Sequence, residues 1–209
     1  MNIKTAYNIW ADQYDTNENK TRDLEDKALR TVLLNKQFDN CLEIGCGTGK
    51  NTEWLISGTN KITAVDLSGN MLARAKAKIQ SDKVEFIQAD INNEWNFAYN
   101  RQFDLVTFSL VLEHIENLDG IFEKLSKVVK TNGHVYIGEL HPFKQYTGSK
   151  ARFETEHGLQ VVTCYNHHVS DFTGSAKKYG FEIASLQEFF DDDDRTNIPR
   201  ILTLLFRKE

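Results

Sequence analysis

The chain has 209 residues, of which 40% are Ala, Val, Ile, Leu, Met, Phe, Trp, Tyr or Cys and 26% are charged; this is the make-up of one folded globular domain, and it excludes a disordered, collagen-like or disulfide-scaffold chain. Lys and Arg number 25 against 30 Asp and Glu, a formal net charge of -5, which argues against a nucleic-acid partner because phosphate contacts call for a basic excess. Three cysteines without a C-x-x-C pair point to reduced thiols in a cytoplasm rather than to a bridge or a zinc site, and neither a signal peptide nor an apolar run long enough for a membrane span is present.

In chain order, residues 3–14 place Ala6, Ile9, Trp10 and Tyr14 at helical spacing. Thr21 is the expected cap of a second helix, with Asp23 and Glu25 in its first turn and Leu24, Ala28, Val32 and Leu33 as its apolar stripe. The period then changes. Short apolar strands are expected at 40–44, 62–65, 84–88, 103–108 and 133–140, separated by helical stretches, one of which Ser68 caps. Strand alternating with helix calls for a parallel sheet covered on both faces. A helix over 172–179 stops at Gly180. Strands at 181–186 and 201–206 follow with no helix between them, so that pair should be antiparallel. Residues 151–156 and 159–165 read as a hairpin turning at His157-Gly158. The expected organisation is one domain over 1–209, with a helical cap at 1–36 and a hairpin lid at about 142–168.

Open parallel sheets bind ligands beyond the carboxyl ends of their strands. The first strand ends in Glu43-Ile44-Gly45-Cys46-Gly47-Thr48-Gly49, a turn that lets a ligand approach the backbone. The second ends at Asp66, a carboxylate able to accept both ribose hydroxyls. The third ends at Asp90, a possible acceptor for an adenine amino group, and the fourth at Ser109-Leu110-Val111. Together these describe a pocket for an adenosine-containing ligand. Lys50 stands where the dinucleotide fingerprint needs its third glycine, and the spacing of a nucleotide-phosphate loop is absent. A carboxylate at the mouth of the loop, Glu43, would repel a pyrophosphate and favour an ammonium or sulfonium group.

The segments Leu42–Gly49, Val65-Asp66-Leu67-Ser68, Gln88-Ala89-Asp90-Ile91, Phe103-Asp104-Leu105-Val106 with Leu112-Glu113-His114-Ile115, and Lys130–His134 occur in an order that resembles the class I S-adenosylmethionine-dependent methyltransferases. The opening Tyr7–Asp15 resembles the N-terminal helix of small-molecule members such as those methylating quinone precursors. The resemblance implies a doubly wound, Rossmann-like α/β fold: a seven-stranded sheet, mostly parallel with an antiparallel last strand and helices on both faces. It implies S-adenosyl-L-methionine as cofactor, S-adenosyl-L-homocysteine as product and a small-molecule acceptor methylated on O, N or C. It also implies that Gly45, Cys46 and Gly47 line the methionine part, that Glu43 supports its ammonium end and that Tyr14 closes over its carboxylate. Asp66 would hold the ribose, Leu67 and Met71 flank the adenine, Asp90 and Ile91 read its edge, and Ser109 or Leu110 touch the methionyl end. An aminopropyl-type transferase on the same fold and a non-catalytic binding module remain alternatives.

For the acceptor side the candidates are Tyr7, Trp10, Tyr14, His114, His141, Tyr146, Phe153 and Tyr165. His141 and His114 are the candidate bases, His141 because it follows the fifth strand; both also read as capping or turn residues. No metal site is expected: His167 and His168 are adjacent and point apart, and Asp191–Asp194 reads as a solvated loop.

Overall fold

A computed structural model describes residues 2–155 and 158–209, apart from the side chains of Phe153, Glu154, Thr155 and Leu159. In chain order the elements are α1 (Ile3–Trp10), α2 (Lys20–Val32), β1 (Phe38–Ile44), α3 (Lys50–Leu55), β2 (Thr59–Asp66), α4 (Gly69–Lys78) and β3 (Val84–Gln88). There follow β4 (Phe103–Ser109), α5 (Leu118–Val128), β5 (Val129–Leu140), α6 (Pro142–Tyr146), β6 (Arg152–Thr155), β7 (Gly158–Val161), α7 (Val169–Lys178), β8 (Phe181–Phe189) and β9 (Ile201–Lys208).

Seven strands form one sheet in the order β3-β2-β1-β4-β5-β9-β8. Neighbours from β3 to β5 are parallel, and β9 runs antiparallel to both β5 and β8. The expected doubly wound sheet with its antiparallel last strand is therefore the fold. Side-chain pattern explains why β9 is inserted and β8 is the edge. Every residue from Ile201 to Phe206 is buried, which suits a strand covered on both faces, whereas β8 is mostly exposed. Leu202, Leu204 and Phe206 join the core under α5 and α7, while Leu205 joins the core under α2, α3 and α4. Phe122 of α5 anchors the first of these, edge-on to Phe181 at 6.0 Å and to Phe206 at 5.7 Å.

A third, smaller cluster lies above the strand tips. It joins Ala6, Trp10 and Ala11 to Met71 of α4 and to Val162, just after β7. This seats α1 and the β6–β7 hairpin over the carboxyl ends of the parallel strands.

Three local readings change. The first helix ends at Trp10 rather than Tyr14. The chain turns there, and Arg22 donates to the Tyr14 and Asn17 carbonyls, which a continuing helix would have kept for itself. The second helix is capped by Asn19, not Thr21: the Asn19 side chain accepts from Arg22 N at 3.0 Å, and Thr21 Oγ1 instead accepts from Arg200 at 3.1 Å. Within the acidic run, Asp191 is not free in solvent but takes two bonds from Arg200 at 2.5 and 2.6 Å. β6 and β7 pair antiparallel as expected, and the turn assigned to His157 lies outside the described residues.

Candidate functional site

Between β1 and β4 the strand order reverses, and there the tips of β1 to β4 open onto one cavity of about 450 Å³. The first tip is shaped by its neighbour. Gly45 N and Cys46 N both donate to the Val65 carbonyl, at 2.7 and 3.1 Å, so the loop folds across β2. Gly45 has φ +73°, and a Cβ there would lie 2.2 Å from Val111 Cγ2; only glycine meets both demands. Asp66 ends β2. One of its oxygens accepts from Gly47 N at 2.8 Å and the other from Ser68 N at 2.7 Å. The Leu67 backbone also bonds this carboxylate, which lines the cavity.

The cavity is lined by Tyr14, Gly45, Gly47, Asp66, Leu67, Met71, Asp90, Ile91, Ser109 and Leu110, all of them expected cofactor residues. Glu43 and Cys46 do not line it. Glu43 is buried behind the glycine loop and accepts from Thr52 Oγ1 at 2.6 Å. Cys46 belongs to the core beneath α2, because a strand tip alternates its faces and Gly45 and Gly47 take the cavity side. Among the acceptor candidates, Tyr7, Trp10, Tyr14 and His114 line the cavity. His141 does not: it caps α6, its Nδ1 taking Phe143 N at 3.2 Å while Nε2 lies 3.0 Å from Glu188. Tyr146 turns to His168 Nδ1 at 2.6 Å. Tyr165 lies off the cavity wall, its backbone N–H bound to the Glu113 carbonyl at 2.7 Å. The Phe153 side chain lies outside the described residues. His167 is bound to the Ile115 carbonyl at 2.7 Å, and among the described residues no three His, Cys, Asp or Glu are grouped to hold an ion.

Buried carboxyl groups lie at the cavity and behind its wall. Burial pushes Glu25 up to about 7 and Glu43 up to about 8, and it raises Asp66 and Glu113 as well. Glu25 of α2 reaches Ser109, Asn51 and Tyr136, bolting the helix to the sheet. Burial also raises Glu139, up to about 8, yet it accepts from Val111 N at 2.9 Å, Leu112 N at 2.7 Å and Glu113 N at 3.3 Å. These three donors favour its charged form. They also hold the loop after β4 in place, where Leu110 takes φ +57°.

Several lining residues carried no assigned role in the sequence: Arg22, Glu113, Lys150, Arg152 and Arg200. Glu113 lay within a quoted segment, beside a histidine. Arg22 and Arg200 come from opposite ends of the chain and meet only through tertiary folding, so no spacing announces them.

A family model described as a methyltransferase domain matches residues 42–137. That stretch is similar to methyltransferase domains. It contains the tips of β1 to β4 and most of the parallel half of the sheet. Over 167 residues the chain is 26% identical to the mitochondrial ubiquinone biosynthesis O-methyltransferase of Dictyostelium discoideum, covering 74% of this chain and 49% of that protein. Over 169 residues it is 30% identical to the malonyl-[acyl-carrier protein] O-methyltransferase of Priestia megaterium, covering 79% of this chain and 56% of that protein. The chain thus spans about half the length of these curated relatives. A solved structure described as a putative S-adenosylmethionine dependent methyltransferase from Listeria monocytogenes shares the fold, with TM-score 0.75, 23% identity and coverage of 90% of this chain and 99% of that one. No helix among the described residues is long and apolar enough to cross a membrane.

Proposed function

We propose that the chain is an S-adenosylmethionine-dependent methyltransferase acting on a small-molecule acceptor, from a single domain whose N-terminal helices and hairpin roof the site. The observation that carries this is the convergence of four strand tips on one cavity, with the Asp66 and Asp90 carboxylates on adjacent tips. The donor set fits the cofactor. The Asp66 carboxylate, anchored by backbone donors, would accept from the ribose hydroxyls, Asp90 and the Ile91 backbone would read the adenine edge, and Leu67 and Met71 would flank it. The open backbone at Gly45 and Gly47 suits the methionyl chain, with Ser109, Leu110 and Tyr14 around its charged end. Glu43 lies behind the loop, off the cavity wall and held by Thr52.

When bound, the cofactor supplies a methyl group on a positively charged sulfur, already activated for transfer. The chain's own work is then to orient the acceptor and exclude water, and orientation alone is worth about 7–11 kcal/mol in well-placed cases. Trp10, Tyr7 and Tyr14 form an aromatic wall for this, with Trp10 edge-on to Tyr14 at 5.0 Å. His114 lines the cavity and is the histidine placed to hold a proton there. The names of these two relatives describe O-methyltransferases. Calorimetry with S-adenosylhomocysteine tests the reading: micromolar binding is expected, and no binding at millimolar ligand overturns it.

A further inference from the structure

The cavity wall also holds polar groups to which the cofactor reading above gives no role. Glu113 lines the cavity at 6% exposure, and its Oε2 has no hydrogen-bond partner. Leaving such an atom buried and unmet is costly, which marks it as waiting for a donor. Its Oε1 lies 4.0 Å from His114 Nε2, and among the described residues the only bond to the carboxylate is from the Cys164 thiol, a weak donor. Tyr7 Oη lies 2.8 Å from the same imidazole nitrogen. His114 Nδ1 is 2.9 Å from the Thr163 carbonyl, which can only accept. The neutral ring therefore carries its proton on Nδ1, and Nε2 accepts the Tyr7 hydroxyl. Tyr7 has then spent its single donor, and it presents only lone pairs to the cavity.

Two acceptors, Tyr7 Oη and the Glu113 carboxylate, thus stand within 4.0 Å of one nitrogen and face one space. A hydroxyl has one proton and meets only one of them. A primary amine meets both with its two N–H groups and still has a lone pair to spend on the methyl group. Arriving as its ammonium ion, it also neutralises a buried carboxylate.

We propose that the methyl acceptor is a primary amine, bound as its ammonium ion between Glu113 and Tyr7; the proposal rests on the methyltransferase reading above. The ammonium gives one proton to Tyr7 Oη as the phenol passes its own to His114 Nε2, leaving a neutral amine and an imidazolium beside Glu113. The amine lone pair forms the N–CH3 bond as the S–CH3 bond breaks. The sulfur keeps that electron pair, the product leaves as a methylammonium, and the imidazolium returns its proton to water.

The test uses the full chain saturated with S-adenosylhomocysteine and reads fragment binding by NMR. The probes are ethylammonium and benzylammonium, the alcohols ethanol and benzyl alcohol, and tetramethylammonium, which has the charge but no N–H. The expected result is that both ammonium probes bind at least tenfold more tightly than the alcohols and tetramethylammonium. That preference should disappear in Glu113→Gln, a variant whose affinity for S-adenosylhomocysteine reports an intact site. Equal binding of alcohols, equal binding of tetramethylammonium, no binding of any probe to the loaded protein, or a preference that survives Glu113→Gln overturns the proposal. Failure of S-adenosylhomocysteine itself to bind is a separate result, and it removes the methyltransferase reading and this proposal together.

Discussion

The cavity has two kinds of wall. On one side are the tips of β1 to β4, where backbone groups are held by strand neighbours and by carboxylates tied to backbone donors, as Asp66 is to Gly47 and Ser68. On the other side are α1, the start of α2 and the β6–β7 hairpin, held by the small Ala6–Trp10–Met71–Val162 cluster and by side-chain bonds such as Ser68 Oγ to Asn8 at 2.6 Å. Elements with little buried apolar area and side-chain anchoring belong to the low end of a protein's range of local stabilities. The first wall is thus tied by backbone bonds, and the second rests on fewer, mostly side-chain, anchors.

The sharpest way to break this contrast is Asp66→Ala at a strand tip. Removing two acceptors from the ribose should lower S-adenosylhomocysteine affinity about 100-fold or more, at roughly 1.5–3 kcal/mol per hydrogen bond to a charged group. Calorimetry reads it, and a loss below threefold shows that Asp66 does not hold the ligand.

The next effect lies at the joint between the two walls. Glu25 is raised in the folded state from an ordinary 4.5 to about 7, because burial disfavours its charged form. A raised carboxyl stabilises the fold below its unfolded pKa, and that contribution is lost as the pH climbs from 4.5 to about 7. Glu25→Gln should therefore gain on the wild type across this window, by roughly 3–4 kcal/mol in unfolding free energy, and hold a constant difference above it. Denaturant melts at several pH values measure this; a difference that stays flat means that Glu25 is not the responsible group.

On the second wall, Trp10→Ala removes the largest member of the cluster that seats α1. Global melting should change little while the cap opens. The expected outcome is roughly tenfold weaker S-adenosylhomocysteine binding and faster protease cleavage between residues 11 and 19. A large drop in global stability with unchanged affinity would instead make α1 part of the core.

The smallest effect concerns Glu43, which burial raises to about 8, so it is mostly protonated at pH 7. A ligand bringing an ammonium to the neighbouring loop lowers that pKa and releases part of a proton. Binding should therefore strengthen between pH 6 and 8, by about threefold, and calorimetry in two buffers of different ionisation enthalpy should report proton release. Glu43→Gln should abolish both signals.

Much of the first wall was legible in the residues. The alternation of strands and helices, the Gly45–Gly49 turn and the acidic ends of the second and third strands each sit within a few residues of the structure they specify, so local pattern suffices. Ser68 capping α4 and Gly180 ending α7 are legible for the same reason. The second wall was less so. His141 follows a strand as a cavity residue would, yet capping α6 and pairing with Glu188 of β8 takes it out of the site. Glu43 sits at the mouth of the loop in sequence, but strand alternation turns its carboxylate inward to Thr52.

The order of apolar runs and turn residues, taken alone, determined a parallel sheet with an antiparallel end and determined which loops crown it, because period and turn chemistry are short-range properties. Tertiary structure alone decided that β9 enters beside β5, that Arg200 reaches Thr21 and Asp191, and that Tyr7, Glu113 and His114 share one cavity wall. Those contacts join residues far apart along the chain. Their partners are chosen by how helices and strands stack and bury surface, not by spacing along the backbone.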